Sequence, residues 1–131
     1  MSNSNISWYS ISAKLAVEER GPVELGDALK IVDRYVARGT EKFESAEEAI
    51  AATMFGFSRS NSQFIEICVN GPAEISYKFE MSDPNASWFR KMFKSVYQHE
   101  ENLRSREELV QKVEEFFTTP VEEIKRRLES R

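Results

Sequence analysis

The sequence predicts an α+β protein: a small antiparallel sheet of about three strands, with four to five helices packed mainly on one face. Three observations lead there. The stretch FIEICVNGPAEISYKFEM, residues 64–81, alternates apolar and polar side chains on both sides of Asn70-Gly71-Pro72, as two arms of a hairpin do. Several segments carry apolar residues at three- and four-residue spacing behind helix-start signals. Strand and helix patterns do not alternate regularly, which favours strands paired with one another over a parallel sheet. The predicted order is β-α-α-β-β-α-α-α, with residues 1–131 as a single globular domain.

The first strand is ISWYSISAKLAVE. Tyr9, Ile11, Ala13, Leu15 and Val17 fall on one side, and Ser10, Ser12, Lys14 and Glu18 on the other. Arg20-Gly21-Pro22 ends it, because proline cannot donate to a ladder. A helix follows through Leu25, Ala28, Leu29, Val32, Tyr35 and Val36, with Gly39 as its left-handed cap. Ser45-Ala46-Glu47-Glu48 is a capping box opening a second helix that carries Ala49, Ile50, Thr53 and Met54. GFSRSNSQ, residues 56–63, then reads as a polar loop whose Arg59 and hydroxyls offer donors to an anion, or simply as a connection.

A two-residue Asn70-Gly71 turn would pair Ile67 with Glu74 and Ile65 with Ser76, mixing apolar with polar on one face. A loop of odd length centred on Gly71 pairs 69 with 73, 67 with 75 and 65 with 77, all apolar. Burial at about 1.5–3 kcal/mol for each large side chain outweighs the turn preference. Gly71 is expected at positive φ. The opposite face then shows Phe64, Glu66, Cys68, Glu74, Ser76 and Lys78, joined by Trp8 if the first strand is adjacent.

Ser82-Asp83-Pro84 starts the next helix, over 84–98, with the most apolar stripe of the chain: Trp88, Phe89, Met92, Phe93, Val96 and Tyr97. Ser105-Arg106-Glu107-Glu108 is another capping box, opening a helix through Leu109, Val110, Val113, Phe116 and Phe117. Thr119-Pro120 starts the last helix, carrying Val121, Ile124 and Leu128.

The composition excludes several chemistries. One His and one Cys cannot supply a zinc set, and no calcium loop is present, so neither a metal nor another cofactor is expected. No glycine-rich phosphate motif occurs. His99, the sole histidine, reads as a surface residue stabilising the end of its helix rather than a base. Cys68 reads as a small half-buried filler beside Glu66. A formal net charge of −4 argues against nucleic acid as a partner. The start lacks a secretory pattern, no apolar run is long enough to span a membrane, and the lone cysteine fits a reducing compartment. A cytoplasmic protein without membrane contact is expected.

Acidic pairs recur at Glu100-Glu101, Glu107-Glu108 and Glu114-Glu115, and again at Glu122-Glu123. The plain reading is a solvated helix face, and the sharper one is a surface that docks a basic partner. The leading expectation is a non-enzymatic protein that binds another protein, as a regulator, inhibitor or immunity-type protein does. Trp8, Phe64, Glu66, Lys78, Glu107, Glu108, Glu114 and Glu115 would form its contact surface. The alternative is a small-molecule binder or enzyme with a pocket between the sheet and the 84–98 helix. The aromatic stripe of that helix also suits a homodimer.

Overall fold

The computed structural model describes residues 6–14, 16–39, 41–60, 63–71, 73–82 and 95–130. It is α+β as expected, but the expected three-stranded sheet is replaced by a six-stranded antiparallel one, and the described helices number four. Strands β1 (Ser7–Ile11) and β2 (Val17–Pro22) precede helices α1 (Leu25–Arg38) and α2 (Ala46–Thr53). Strands β3 (Met54–Ser60), β4 (Gln63–Gly71), β5 (Glu74–Ser82) and β6 (Ser95–Leu103) follow, then helices α3 (Arg106–Thr118) and α4 (Val121–Glu129). Across the sheet the strands run β2-β1-β3-β4-β5-β6.

Three expectations fail because polar strands resemble other things in sequence. The single N-terminal strand is a hairpin. Ser12 breaks it: its Oγ accepts from the amides of Lys14 (3.2 Å) and Ala16 (3.2 Å), and its own amide donates to the Ala16 carbonyl (2.9 Å). Val17 is consequently exposed rather than in the core. Arg20-Gly21-Pro22 lies inside β2 instead of ending a strand; proline is tolerated there because β2 is an edge. Residues 56–60 form strand β3 rather than a polar loop, with Phe55 and Phe57 fully buried. The helix expected over 84–98 cannot extend through its last residues, since Ser95–Leu103 is a strand. Its remainder, with Trp88, Phe89, Met92 and Phe93, lies outside the described residues.

The β4–β5 hairpin keeps the expected parity with a shifted register. Val69 pairs with Ile75, Ile67 with Tyr77 and Ile65 with Phe79, closing on Gly71 opposite Glu74 through an irregularity between Val69 and Gly71. Apolar still faces apolar, but two residues further along than an odd loop centred on Gly71 requires. Gly71 does not adopt positive φ; Gly21 does, at 113°, next to the extra residue Arg20 in the β1–β2 ladder. Gly39 ends α1 in the right-handed region (φ −63°), not as a left-handed cap. Its missing side chain instead leaves room for Val69.

Alternation then builds the core. On one face, Trp8, Phe57, Ile65, Phe79 and His99 form one cross-strand row, and Ser10, Phe55, Ile67, Tyr77 and Glu101 the next. Helices cover this face: Tyr35 of α1 stacks on Phe55 with ring centroids 4.3 Å apart, and Phe117 of α3 meets Phe57 edge-on at 5.5 Å. The serine N-caps form as read, with Glu48 N donating to Ser45 Oγ (3.1 Å) and Glu108 N to Ser105 Oγ (3.2 Å). Arg59 reaches across the core edge: its guanidinium lies over the Phe116 ring and donates to the carbonyls of Phe116 and Thr119. These are last-turn acceptors that the helix itself leaves unsatisfied, so the anion-binding reading of Arg59 gives way to a helix C-cap.

On the other face, Tyr9 lies across Gly56 and its hydroxyl donates to the Ile65 carbonyl at 3.1 Å. A Cβ at position 56 would run into the Tyr9 ring and the Ile65 carbonyl. An aromatic ring laid over a strand glycine covers backbone that would otherwise be solvated. Gly56→Ala should therefore destabilise the protein by about 2–4 kcal/mol in urea unfolding, while Tyr9→Phe, which loses one buried hydrogen bond, should cost about 1 kcal/mol. Equal effects of the two would mean that ring placement over Gly56 is not the constraint.

Candidate functional site

The same alternation that buries one face of the sheet organises the other. Tyr9, Gly56, Glu66, Lys78 and Glu100 form a row across five strands on the face turned away from α1, α3 and α4. Met54, Cys68, Ser76 and Asn102 flank it on one side, and Ser58, Phe64, Glu80 and Gln98 on the other. Between the first two rows lies a concavity of about 400 Å³, lined by Met54, Glu66, Cys68, Ser76, Lys78, Glu100 and Asn102.

Glu66 is half-buried in its wall, and burial raises its carboxyl pKa above the usual carboxylate range. Lys78 opposes this shift, and the charges of Glu80 and Glu100 add to it. Burial likewise raises the Cys68 thiol, against a contact with Thr53 Oγ1 at 3.9 Å. Its Sγ also lies 3.4 Å from Asn70 Oδ1, whose amide nitrogen donates to Ser76 Oγ at 3.0 Å. The thiol is held neutral in a small polar network, in line with a packing role.

A second hollow, of about 360 Å³, opens between the end of β6 and α3, where Glu101, Arg104, Glu108, Gln111 and Lys112 line it. Beside it, His99 Nε2 lies 2.7 Å and Lys112 Nζ 3.0 Å from Glu101 Oε2. Lys112 also sits over the Tyr77 ring at 5.5 Å. Burial works against ionisation of Glu101, but the hydrogen bonds and charges of His99 and Lys112 outweigh it and hold the carboxyl below its usual range. His99 therefore belongs to a strand-borne hydrogen-bonded cluster around Glu101, and the expected helix-end role does not apply.

The structure brings Phe64, Glu66 and Lys78 onto one face, with Glu66 opposite Lys78 rather than Ser76. Trp8 does not join them. It points to the helix-covered face in the row of Phe57, with the Arg20 guanidinium 6.0 Å from its ring centre. Glu107 and Glu114 are exposed on α3. Glu108 accepts from the Arg104 amide, just ahead of the Ser105 cap, at 2.9 Å, and Glu115 pairs with Arg127 at 3.0 Å. From sequence, Glu100 is read only as one of the acidic pairs and not as part of this face, and Asn102 is missed, because 95–98 is placed in a helix. The signal was there: Gln98, Glu100 and Asn102 alternate with Tyr97, His99, Glu101 and Leu103.

No protein-family model matches the chain, and no curated protein or solved structure is significantly similar to it. Among the described residues, no helix is long and apolar enough to cross a membrane.

The two carboxylates should respond oppositely to pH. A raised folded-state pKa at Glu66 means folding gains as pH falls toward the unfolded value near 4.3 and loses as pH rises through the folded one. Glu66→Gln should thus raise the melting temperature at pH 7 and leave it unchanged near pH 4. The depressed Glu101 contributes stability above its unfolded pKa, lost as pH falls through the folded one. Glu101→Gln should cost about 1 kcal/mol or less at pH 7, given solvent screening, and nothing in acid. Melting curves of both variants across pH check the signs.

Proposed function

We propose that this chain is a binding protein, and that the concave sheet face takes up a Lys- or Arg-rich segment of another protein. One observation carries the reading: among the described residues, Glu66 and Glu100 flank Lys78 in the strand ladder, at a concavity large enough for side chains. Burial raises the Glu66 carboxyl pKa there, and Lys78 opposes that rise without cancelling it. A cation docked in the concavity would replace solvent lost on burial with a fixed opposite charge. Such complementarity favours basic partners, steers their approach and weakens with salt. Half-buried Phe64 on the same face supplies apolar contact area beside the charges.

A second reading shares the cavity. About 400 Å³ falls within the range of small-ligand pockets, so a small cationic or hydrogen-bonding molecule fits the same wall. The concavity lies on the strand face, and residues 84–94 of the helix expected to wall the alternative pocket are outside the described residues.

The test is native mass spectrometry of untagged wild type and of the Glu100→Lys variant, each recovered at low ionic strength from the cells that make the protein. The binding reading expects a second protein retained by the wild type, released by salt and lost from Glu100→Lys. Equal retention by both proteins sinks it, as does a bare chain. A retained small mass would move the second reading to first place.

A further inference from the structure

The proposed partner has a route onto this protein that the sheet order reveals. We infer that a Lys- or Arg-bearing segment binds as an added strand along the outer edge of β6, a mode that rests on the acidic-face reading above and specifies it.

Among the described residues the sheet ends at β2 on one side and β6 on the other. The β2 edge is poorly suited to further pairing: it holds Pro22, the extra residue Arg20 and Gly21 at φ 113°, features that twist an edge or remove its donors. β6 spans nine residues, SVYQHEENL, with neither proline nor glycine. Its ladder with β5 carries an extra residue at Val96, but from Tyr97 to Leu103 the register is unbroken, and a strand laid beside that stretch would find backbone groups in a regular array and alternate its side chains between two environments.

Those environments are the two hollows. They meet at β6: Glu101 and Asn102 line both, while Glu100 borders the concavity and Arg104 the groove toward α3. Side chains of an added strand that point to the first face come alongside Gln98, Glu100 and Asn102, all exposed. Those pointing to the second come alongside the His99–Glu101–Lys112 cluster and the Glu108 and Gln111 side chains of α3. The first face asks for cations. The second, where Lys112 and His99 already answer Glu101, asks for neutral hydrogen-bonding side chains. An alternating basic and neutral polar strand meets both demands.

The occupant is another protein rather than a second copy. Symmetric antiparallel pairing of β6 with itself about His99 would set Glu100 opposite Gln98 of the second copy and diagonal to its own counterpart, a like-charge approach that disfavours the pair. Inward-pointing charge on an edge strand is a known guard against self-pairing.

The experiment uses the full chain and a fluorescent nonapeptide alternating Lys and Thr, read by anisotropy. Two isomers accompany it, one methylated on every Lys amide and the other on every Thr amide. In a strand only one of those two sets of amides faces β6, so one isomer should lose at least about tenfold in affinity while the other binds like the parent. Amide exchange of residues 97–103 should slow on binding, and Glu100→Lys should weaken it. If both methylated isomers bind like the parent, strand addition is wrong while the acidic face stands. If no Lys-rich peptide binds, including a blocked-order peptide of the same composition, the acidic-face reading falls with it. A concentration-dependent dimer that the peptide dissolves would overturn the choice of occupant.

Discussion

The constraint on which the rest of this molecule depends is the parity of its central strands. Phe55 and Phe57 on β3, Ile65 and Ile67 on β4, and Tyr77 and Phe79 on β5 fall in register, and all are buried against helices. Side chains in a strand alternate, so a slip of one residue in any ladder would expose several of them at once. Burying this set fixes the opposite set. Gly56, Glu66, Lys78 and Glu100 share a row because Phe57, Ile65, Phe79 and His99 do. The electrostatics of the concave face are thus inherited from the hydrophobic core, and no loop is needed to assemble them.

How much of this was legible follows from the same physics. The β4–β5 hairpin could be read because one of its faces is wholly apolar; the energy of pairing apolar with apolar ruled out the simple Asn-Gly turn. The exact offset could not be read, since any shift by two preserves parity. α1, α3 and α4 were visible through their stripes and caps. β3 was not, because Gly56 between Phe55 and Phe57 resembles a helix terminator, and its purpose is to admit the Tyr9 ring from a strand 40-odd residues earlier. β2 carries Glu18, Glu19 and Arg20, and an edge strand exposed on both faces shows no alternation at all. β6 was hidden for a related reason: the residues it turns inward include His99 and Glu101, made tolerable by Lys112 from α3. Ion partners distant in sequence leave no local trace. The face carrying Glu66 and Lys78 was foreseen, whereas Trp8 was assigned to it wrongly because the β1 parity follows Tyr9 over Gly56 and not the apolar count.

Long-range polar contacts hold the helical layer to this sheet. Arg59 from β3 binds the last-turn carbonyls of α3, and Lys112 from the middle of α3 binds Glu101 on β6. Arg106 at the start of α3 pairs with Asp33 of α1, and Arg127 of α4 with Glu115. Apolar packing of Leu109, Val113 and Phe116 sets the distance between α3 and the sheet, but slides easily along its axis. Directional bonds at the two ends and the middle fix the axial position, and with it the shape of the groove beside β6.

The adjacent pair Glu100-Glu101 shows what separates a structural carboxylate from an available one. One residue apart, they face opposite sides of the sheet. Glu101 is held by His99 and Lys112, its proton affinity lowered by contacts that also position α3. Glu100 is exposed and accepts from Gln98 Nε2 at 2.9 Å, with Lys78 standing between it and a Glu66 whose affinity for protons is raised. A sheet selected only for stability would place an apolar or neutral residue at position 66, because a half-buried carboxylate with only partial compensation opposes folding at neutral pH. Sites that break a local rule of stability without internal compensation are where function is most often found. Among the described residues Lys78 is the cation set against Glu66 in the ladder, and it opposes the rise that burial gives that carboxyl without cancelling it.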